Sequence, residues 1–216
     1  MSDTPMRYRR LFEILGRRLK PEDGVSEDDL LAAERRLGLR IPKALADYYR
    51  VAGHADPLTP AFNKLLPPSR LRVQSGKLVF LEEDQGVALW GTAVSAEPDD
   101  DPSVYQTLNE EPYPWAPVSD RCSTFLSVML HWGATFGGAL PFVSTAAVDP
   151  SLASTLDRGW SFVGEVDGIR AYNRLGAAAC LAEWDSEWRL FAGSTTEAGM
   201  TAAAAELGVA WETSVA

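Results

Sequence analysis

The sequence predicts an α+β fold, with a mixed or antiparallel sheet packed against helices. Helix-period apolar spacing occurs in residues 6–53 and again in residues 121–136. Strand-like apolar runs occur in residues 78–91 and again in residues 169–192. Hydrophobic residues make up 46% of the 216 residues, which is enough to build a substantial core.

Residues 78–91 form the stretch around which we expect the sheet to be organised. Two apolar runs, 78–81 and 87–90, flank the polar residues 82–86. Val, Phe and Trp suit a half-buried pleated surface, and Gly86 is free to adopt a positive φ in a turn. We therefore predict a central β-hairpin with a loop longer than two residues, and we expect Trp90 to be buried against Phe125 or Met129.

Three helices are predicted before this hairpin. Residues 6–20 carry leucines at every fourth position with arginines on the other face, so the basic face is either solvated or docked on acidic surface. Ser26 is expected to cap a second helix that Gly38 ends. Pro42 is expected at the first position of a third helix, which Gly53 ends.

A long apolar helix is predicted after the hairpin, over residues 121–136. Phe125, Met129, Trp132 and Phe136 recur at a 4-3-4 spacing, so we expect this helix to be deeply buried against the sheet.

Three further strands are predicted near the C-terminus, over residues 169–174, 177–184 and 188–192, followed by a helix over 197–208. Trp184 and Trp188 flank the second turn and are expected to pack together across it. We expect these strands to continue the first sheet. Residues 139–159 are mixed in composition, and no element is assigned to them.

The net charge of −10 argues against a nucleic-acid backbone or an anionic membrane as the partner. It favours a basic partner, or serves solubility alone. Cys122 and Cys180 form no disulfide framework, so we predict two free thiols in a reducing compartment. Because arginines interrupt every apolar run near the N-terminus, no signal peptide is recognised, and we expect a cytoplasmic protein.

The negative charge is concentrated in residues 78–120, which contain ten acidic residues and no Lys or Arg. Elsewhere the charges nearly cancel. We predict that nine of the ten form a partner-binding surface and converge on one side of the sheet, although a solvated acidic loop is the alternative for each cluster. We expect residues 99–101 to accept Asn without loss of the fold. The nine residues are Glu82, Glu83, Asp84, Glu97, Asp99, Asp100, Asp101, Glu110 and Glu111.

Catalytic signals are few. The two histidines, His54 and His131, are far apart in sequence, and His131 is expected to be a core residue. Metalloprotease, serine-hydrolase and phosphate-loop motifs are absent, as is the spacing of an EF-hand calcium site. We predict a protein that is not an enzyme and binds no cofactor or metal. An enzyme that uses the acidic cluster is the alternative from another class.

Five short motifs in this order resemble the SUKH (SMI1/KNR4) superfamily. Leu-Gly-Leu-Arg-Ile-Pro at 37–42 and Tyr-Tyr-Arg-Val-Ala-Gly at 48–53 resemble the opening of its domain, and residues 84–91 its middle segment. Asp-Pro-Ser-Val-Tyr at 101–105, Trp115 and residues 123–130 resemble its later elements. Ile41 departs from the pattern, in which Leu is more usual.

This resemblance covers about residues 26–136. It implies a SUKH-like domain over residues 1–136 with an extra N-terminal helix. Residues 137–216 are then a β-rich C-terminal extension that ends in a helix and belongs to the same domain.

The family includes bacterial immunity proteins, which bind and neutralise a cognate toxin domain, often a nuclease, and it includes regulatory adaptors. An acidic surface can occupy the basic cleft of a nuclease and speed association with it. The resemblance therefore implies an immunity protein that neutralises a basic protein toxin. An intracellular regulatory adaptor is the alternative.

Overall fold

The computed structural model describes residues 4–55, 63–95, 97, 99–136 and 140–212, and within these ranges it contains six α-helices and two antiparallel sheets. The predicted α+β fold is confirmed. The helices are α1 Thr4–Ile14, α2 Glu27–Leu37, α3 Lys43–Ala52, α4 Cys122–Phe136, α5 Leu152–Gly159 and α6 Glu197–Leu207. The strands are β1 Asn63–Leu65, β2 Arg72–Gln74, β3 Lys77–Glu83, β4 Ala88–Ala93, β5 Val104–Leu108, β6 Ala116–Ser119, β7 Phe142–Ala147, β8 Ser161–Val166, β9 Ile169–Arg174, β10 Ala177–Trp184 and β11 Glu187–Ser194.

The first sheet is built around the predicted hairpin, which is confirmed as β3 and β4. Its strand order is β1-β3-β4-β5-β6, and β2 pairs with the same edge of β3 as β1 does. Leu81 lies opposite Trp90. The Trp90 side chain is 8% exposed, and its ring centroid lies 6.5 Å from that of Phe125 in α4. The predicted burial of Trp90 is therefore confirmed.

The C-terminal strands form a second sheet with the order β7-β11-β10-β9-β8. The expectation of one continuous sheet is therefore wrong. The physical reason is α4, in which twelve of fifteen residues are buried. A helix that is buried on nearly all sides needs packing partners on opposite sides, which one sheet cannot supply.

Both faces of the second sheet are buried. Alternate residues of β9–β11 pack against α4 in the main core, and the intervening ones form a smaller core beneath α5 and α6. The main core also contains residues of the first sheet. The proposed division of the chain into a SUKH-like domain over residues 1–136 and an extension over residues 137–216 stays a prediction. The residues facing α4 include Ala171, Ala178, Cys180 and Phe191, and those facing α5 and α6 include Tyr172, Ala179, Leu181 and Leu190.

Several elements were not predicted from the sequence: β1, β5, β6, β7, α5 and β8. The strand β8 contains Gly164, where a Cβ atom would lie 2.7 Å from the Thr124 side chain of α4. The glycine allows close contact between helix and strand, but it weakens the sequence signal for a strand. Residues 137–139, where the long helix was expected to end, lie outside the described residues.

Two helix boundaries differ from the prediction: the end of the first helix by several residues and the start of the third helix by one residue. The first helix ends at Ile14 instead of continuing to residue 20, and Gly16 follows with φ of +79°. This is the left-handed conformation that glycine adopts readily after a helix. Pro42 precedes the third helix as its N-cap residue, and the helix begins at Lys43.

The predicted contact between Trp184 and Trp188 is wrong. The turn contains only Asp185 and Ser186, both with positive φ, as in a type I′ hairpin. Trp184 therefore lies opposite Glu187 and Trp188 lies opposite Glu183, which places the two rings on opposite faces of the sheet.

Candidate functional site

The predicted acidic residues lie at two ends of the first sheet. The β3–β4 turn and the β5–β6 connection lie at one end, where the Asn109 N–H donates to the Val87 carbonyl at 2.8 Å. The β4–β5 connection, residues 94–103, lies at the other end. A strand the length of β4 separates such ends by about 17–20 Å. The expected convergence of all three acidic segments is therefore wrong, because consecutive turns of an antiparallel sheet alternate between its ends.

Carboxylates at the β3–β4 turn have partners within the chain. Glu82 lies 3.2 Å from Arg72, and Asp84 forms an ion pair with Lys64. Glu83 accepts backbone N–H groups of its own turn at 2.9 and 3.2 Å. The compensating cations precede the base-free segment in sequence and reach it through the pairing of β1 and β2 with β3. The ion pairs could not be predicted from the sequence, because the cations lie outside the base-free segment.

Two of the nine residues, Glu110 and Glu111, lie in the β5–β6 connection at the same end as the β3–β4 turn. Both side chains are exposed, and neither forms an ion pair within the described ranges.

The β4–β5 connection caps the N-termini of two helices. The Asp101 carboxylate accepts the Ser123 backbone N–H at 2.7 Å and the Ser123 hydroxyl at 2.6 Å. The first N–H of α4 donates to the Pro102 carbonyl, and the Ala44 N–H of α3 donates to the Asp100 carbonyl, both at 2.8 Å. Negative charge is favourable at the positive end of a helix dipole. Part of the acidic run at 99–101 is thus explained by structure.

Residues 99–101 were expected to accept Asn without loss of the fold, which stays a prediction, but the capping contacts of Asp101 indicate that its removal lowers stability. We expect Asp101→Ala to lower the free energy of unfolding by about 1–2 kcal/mol, since it removes acceptors for two donors at the start of α4. Chemical denaturation measures this change. Asp100→Asn is the matched control, because that side chain is exposed and should change stability by less than about 0.5 kcal/mol. Equal effects of the two variants would contradict the capping role.

A groove of about 1030 Å³ opens beside this connection. Its apolar surface includes Leu39 and Pro42 from the α2–α3 connection and Leu78 from β3. The groove lies between the residues of α2 and the α2–α3 connection on one side and the end of the first sheet that carries Glu97 and Asp99 on the other. Its polar and charged lining residues are Glu34, Arg35, Arg40, Thr92, Ser95, Glu97, Asp99, Ser103 and Tyr105.

The charged groups of the groove come from two elements. Glu34, Arg35 and Arg40 belong to α2 and the residues after it, and Glu97 and Asp99 belong to the β4–β5 connection. Glu34 is half-buried and accepts the Ile41 backbone N–H at 2.9 Å. The other four side chains are exposed, and none of them forms an ion pair within the described part of the chain. Thr92 lies in the groove lining with its residue 0% exposed, and its hydroxyl has no hydrogen-bond partner among the described residues. A buried hydroxyl of this kind is unusual in a folded protein.

His131 and both cysteines lie in the core, whereas His54 is exposed. The predicted core position of His131 is confirmed: its Nδ1 contacts the Ser127 carbonyl at 2.7 Å, and its Nε2 contacts the Asn173 amide at 2.9 Å. Burial lowers the pKa of His131 to about 4. Cys122 and Cys180 are free and buried, as predicted, and burial raises the pKa of each thiol. A nucleophilic cysteine requires the opposite shift.

Among the described residues, no group of three or more His, Cys, Asp or Glu side chains is arranged to hold a metal ion. The helices in the same ranges include none with the length and apolar character needed to cross a membrane.

Comparisons with protein-family models, with curated proteins and with solved structures found no match for this chain.

Proposed function

We propose that this protein binds another protein without catalysis, and that it is an immunity protein that neutralises a basic toxin domain at the groove. The observation that carries the proposal is the group of exposed carboxylates, Glu97, Asp99 and Asp100, beside a groove of about 1030 Å³. The end of the connection, from Asp100 to Pro102, is held by backbone hydrogen bonds to two helices. Binding groups on a backbone that is already fixed lose little conformational entropy when a partner binds. The resemblance of residues 26–136 to the SUKH superfamily supports the same class of function.

Electrostatics favour a basic partner at this end of the sheet. The net charge of the chain is −10, and at physiological ionic strength the field of exposed carboxylates extends about 8 Å into solvent. Such a field raises the association rate of an oppositely charged protein more than it lowers the dissociation rate. Arg35 and Arg40 give the groove two cations as well, so the bound segment of the toxin should include an acidic residue.

The non-catalytic part of the proposal is supported by the burial of His131 and of both thiols in the core. His54 is exposed but is not among the residues that line the groove. We place the protein in the cytoplasm, where buried free thiols are stable.

The test is a comparison of two double variants after the partner has been purified with the protein from its native cell. We expect Glu97→Gln/Asp99→Asn to lower the association rate of the partner and to weaken the dependence of that rate on salt. Glu110→Gln/Glu111→Gln removes the same charge at the other end of the sheet and should change both quantities less. Stopped-flow measurements at several salt concentrations give both the association rate and its dependence on salt. Inhibition of the partner's toxic activity at equimolar ratio tests the immunity role directly.

Equal rates for the wild type and the groove variant would contradict binding at the groove. A captured partner that has no toxic activity and is regulated by the protein would identify an adaptor instead.

A further inference from the structure

Four aromatic rings pack together between the C-terminal end of α4 and the β10–β11 hairpin. Trp132 stacks on Phe136 with ring centroids 4.8 Å apart, and Phe191 packs on both at 5.0 and 5.2 Å. Trp184 completes the cluster, with its ring 5.3 Å from Phe136 and 6.0 Å from Trp132. Offset and edge-to-face ring contacts of this kind hold each ring in one orientation.

Trp184 is the member of this cluster that reaches solvent. It is 43% exposed, whereas the other six tryptophans, all within the described residues, are buried or half-buried. Elsewhere in the described part of the chain, Arg174 lies over the Trp160 ring at 4.3 Å, whereas no cation of those residues lies over Trp184. The exposed ring of Trp184 is thus a rigid aromatic surface without an internal cation.

Carboxylates lie beside this ring. Glu187 is the cross-strand neighbour of Trp184 and shares its face of the sheet, where Cβ atoms of such pairs are about 4.5–5.5 Å apart. Asp185, in the turn itself, is exposed. Arg189 follows on the same face, but Glu212 holds it at 2.8 Å, and its contact with Glu187 is longer at 3.5 Å.

We propose that this hairpin tip, Trp184 with Asp185 and Glu187, is a second contact surface that binds an arginine or lysine side chain of a partner protein. An aromatic face attracts a cation through its quadrupole, and the neighbouring carboxylates supply charge and hydrogen-bond acceptors. The cluster fixes the ring before binding, so little entropy is lost. This inference rests on the proposed function only in taking a basic protein as the partner, and it concerns the second sheet instead of the groove.

The test is an NMR titration of the tryptophan indole N–H signals with the peptide acetyl-(Gly-Arg)₃-amide, which requires no cognate toxin. Comparison with the Trp184→Phe spectrum assigns the Trp184 signal. We expect a saturable shift of the Trp184 signal and a much smaller one for Trp188, which lies on the opposite face. Acetyl-(Gly-Gln)₃-amide should shift neither.

Two charge-matched variants separate the site from general attraction. Glu187→Gln should weaken binding of the arginine peptide about two- to fivefold, the range expected when one exposed electrostatic contact is lost. Glu183→Gln removes an identical charge beside Trp188 and should leave the affinity within a factor of about 1.5.

The inference is overturned if the Trp184 signal does not move, if Trp188 moves equally, or if the two variants weaken binding to the same extent. Because this titration uses only the protein and the peptide, its failure would leave the groove proposal intact, and failure at the groove would leave this result unaffected.

Discussion

Trp90→Ala is expected to lower the free energy of unfolding by about 3–5 kcal/mol, the cost typical of removing a large aromatic side chain from a core. Trp90 is 8% exposed in the central strand β4 and packs on Phe125, which itself contacts Phe80 at 5.8 Å. The deletion therefore leaves a cavity where the first sheet meets α4. Such a loss is a large fraction of the stability of an ordinary domain. Urea denaturation monitored by far-ultraviolet circular dichroism measures it.

Val87→Ala is the matched control for Trp90→Ala. Val87 precedes the same strand but is 55% exposed, so its truncation should change the free energy of unfolding by less than about 0.5 kcal/mol. A cost below about 1.5 kcal/mol for Trp90→Ala would show that Trp90 does not contribute to the packing of the first sheet against α4.

Acidification is expected to destabilise the protein through His131. Burial lowers the pKa of His131 to about 4 in the folded state, against about 6.5 in an unfolded chain. Between these values the unfolded state binds more protons, so the stabilisation is complete above about pH 6.5 and is lost as the pH falls towards 4. By pH 5 the loss from this one group should reach about 2 kcal/mol. Denaturation at a series of pH values between 7.5 and 5 measures it.

His131→Gln should flatten this pH dependence, even though it lowers stability at every pH by disturbing the hydrogen bond with Asn173. His54→Gln, at an exposed position, is the matched control and should retain the slope of the wild type. NMR titration of His131 in the wild-type protein is an independent test, because it does not depend on the stability of any variant. A His131 that titrates near pH 6.5 in the folded protein would contradict the expectation.

Local sequence patterns were sufficient to predict those helices and strands whose caps, turns and apolar spacing lie within or next to the element itself. Ser26 caps α2 by accepting the Asp29 N–H, and Gly38 ends the helix in the left-handed conformation, as its sequence indicates. The β3–β4 hairpin and α4 follow equally from apolar runs bounded by turn residues. The strands β7 and β8 were missed because their residues are small or exposed, and Gly164 in particular is explained only by its contact with α4.

The candidate site was predictable in part. The sequence indicated that negative charge is concentrated between residues 78 and 120, and Glu97 and Asp99 do line the groove. It gave no signal that Arg35 and Arg40 would line the same groove, since some sixty residues of sequence lie between them and these carboxylates. Nor could it show that Asp101 caps α4, because its acceptor role depends on a helix that begins twenty-one residues later.

The α+β class, the central hairpin, the buried helix and histidine, and the excess of negative charge could all be derived from residue order alone, since each depends on composition or on spacing within a short segment. The arrangement of the strands in two sheets is visible only in the folded chain, where α4 is buried on nearly all sides and has packing partners on opposite sides. The tertiary structure also decided which carboxylates remain free. Glu82 and Asp84 meet cations through strand pairing and Asp101 meets a helix terminus, whereas Glu97 and Asp99 line the groove without an ion pair among the described residues. Within those residues, Asp99 accepts only the Asp101 backbone N–H, at 2.9 Å. Charge compensation depends on distances of a few ångströms in space, which sequence separation does not encode.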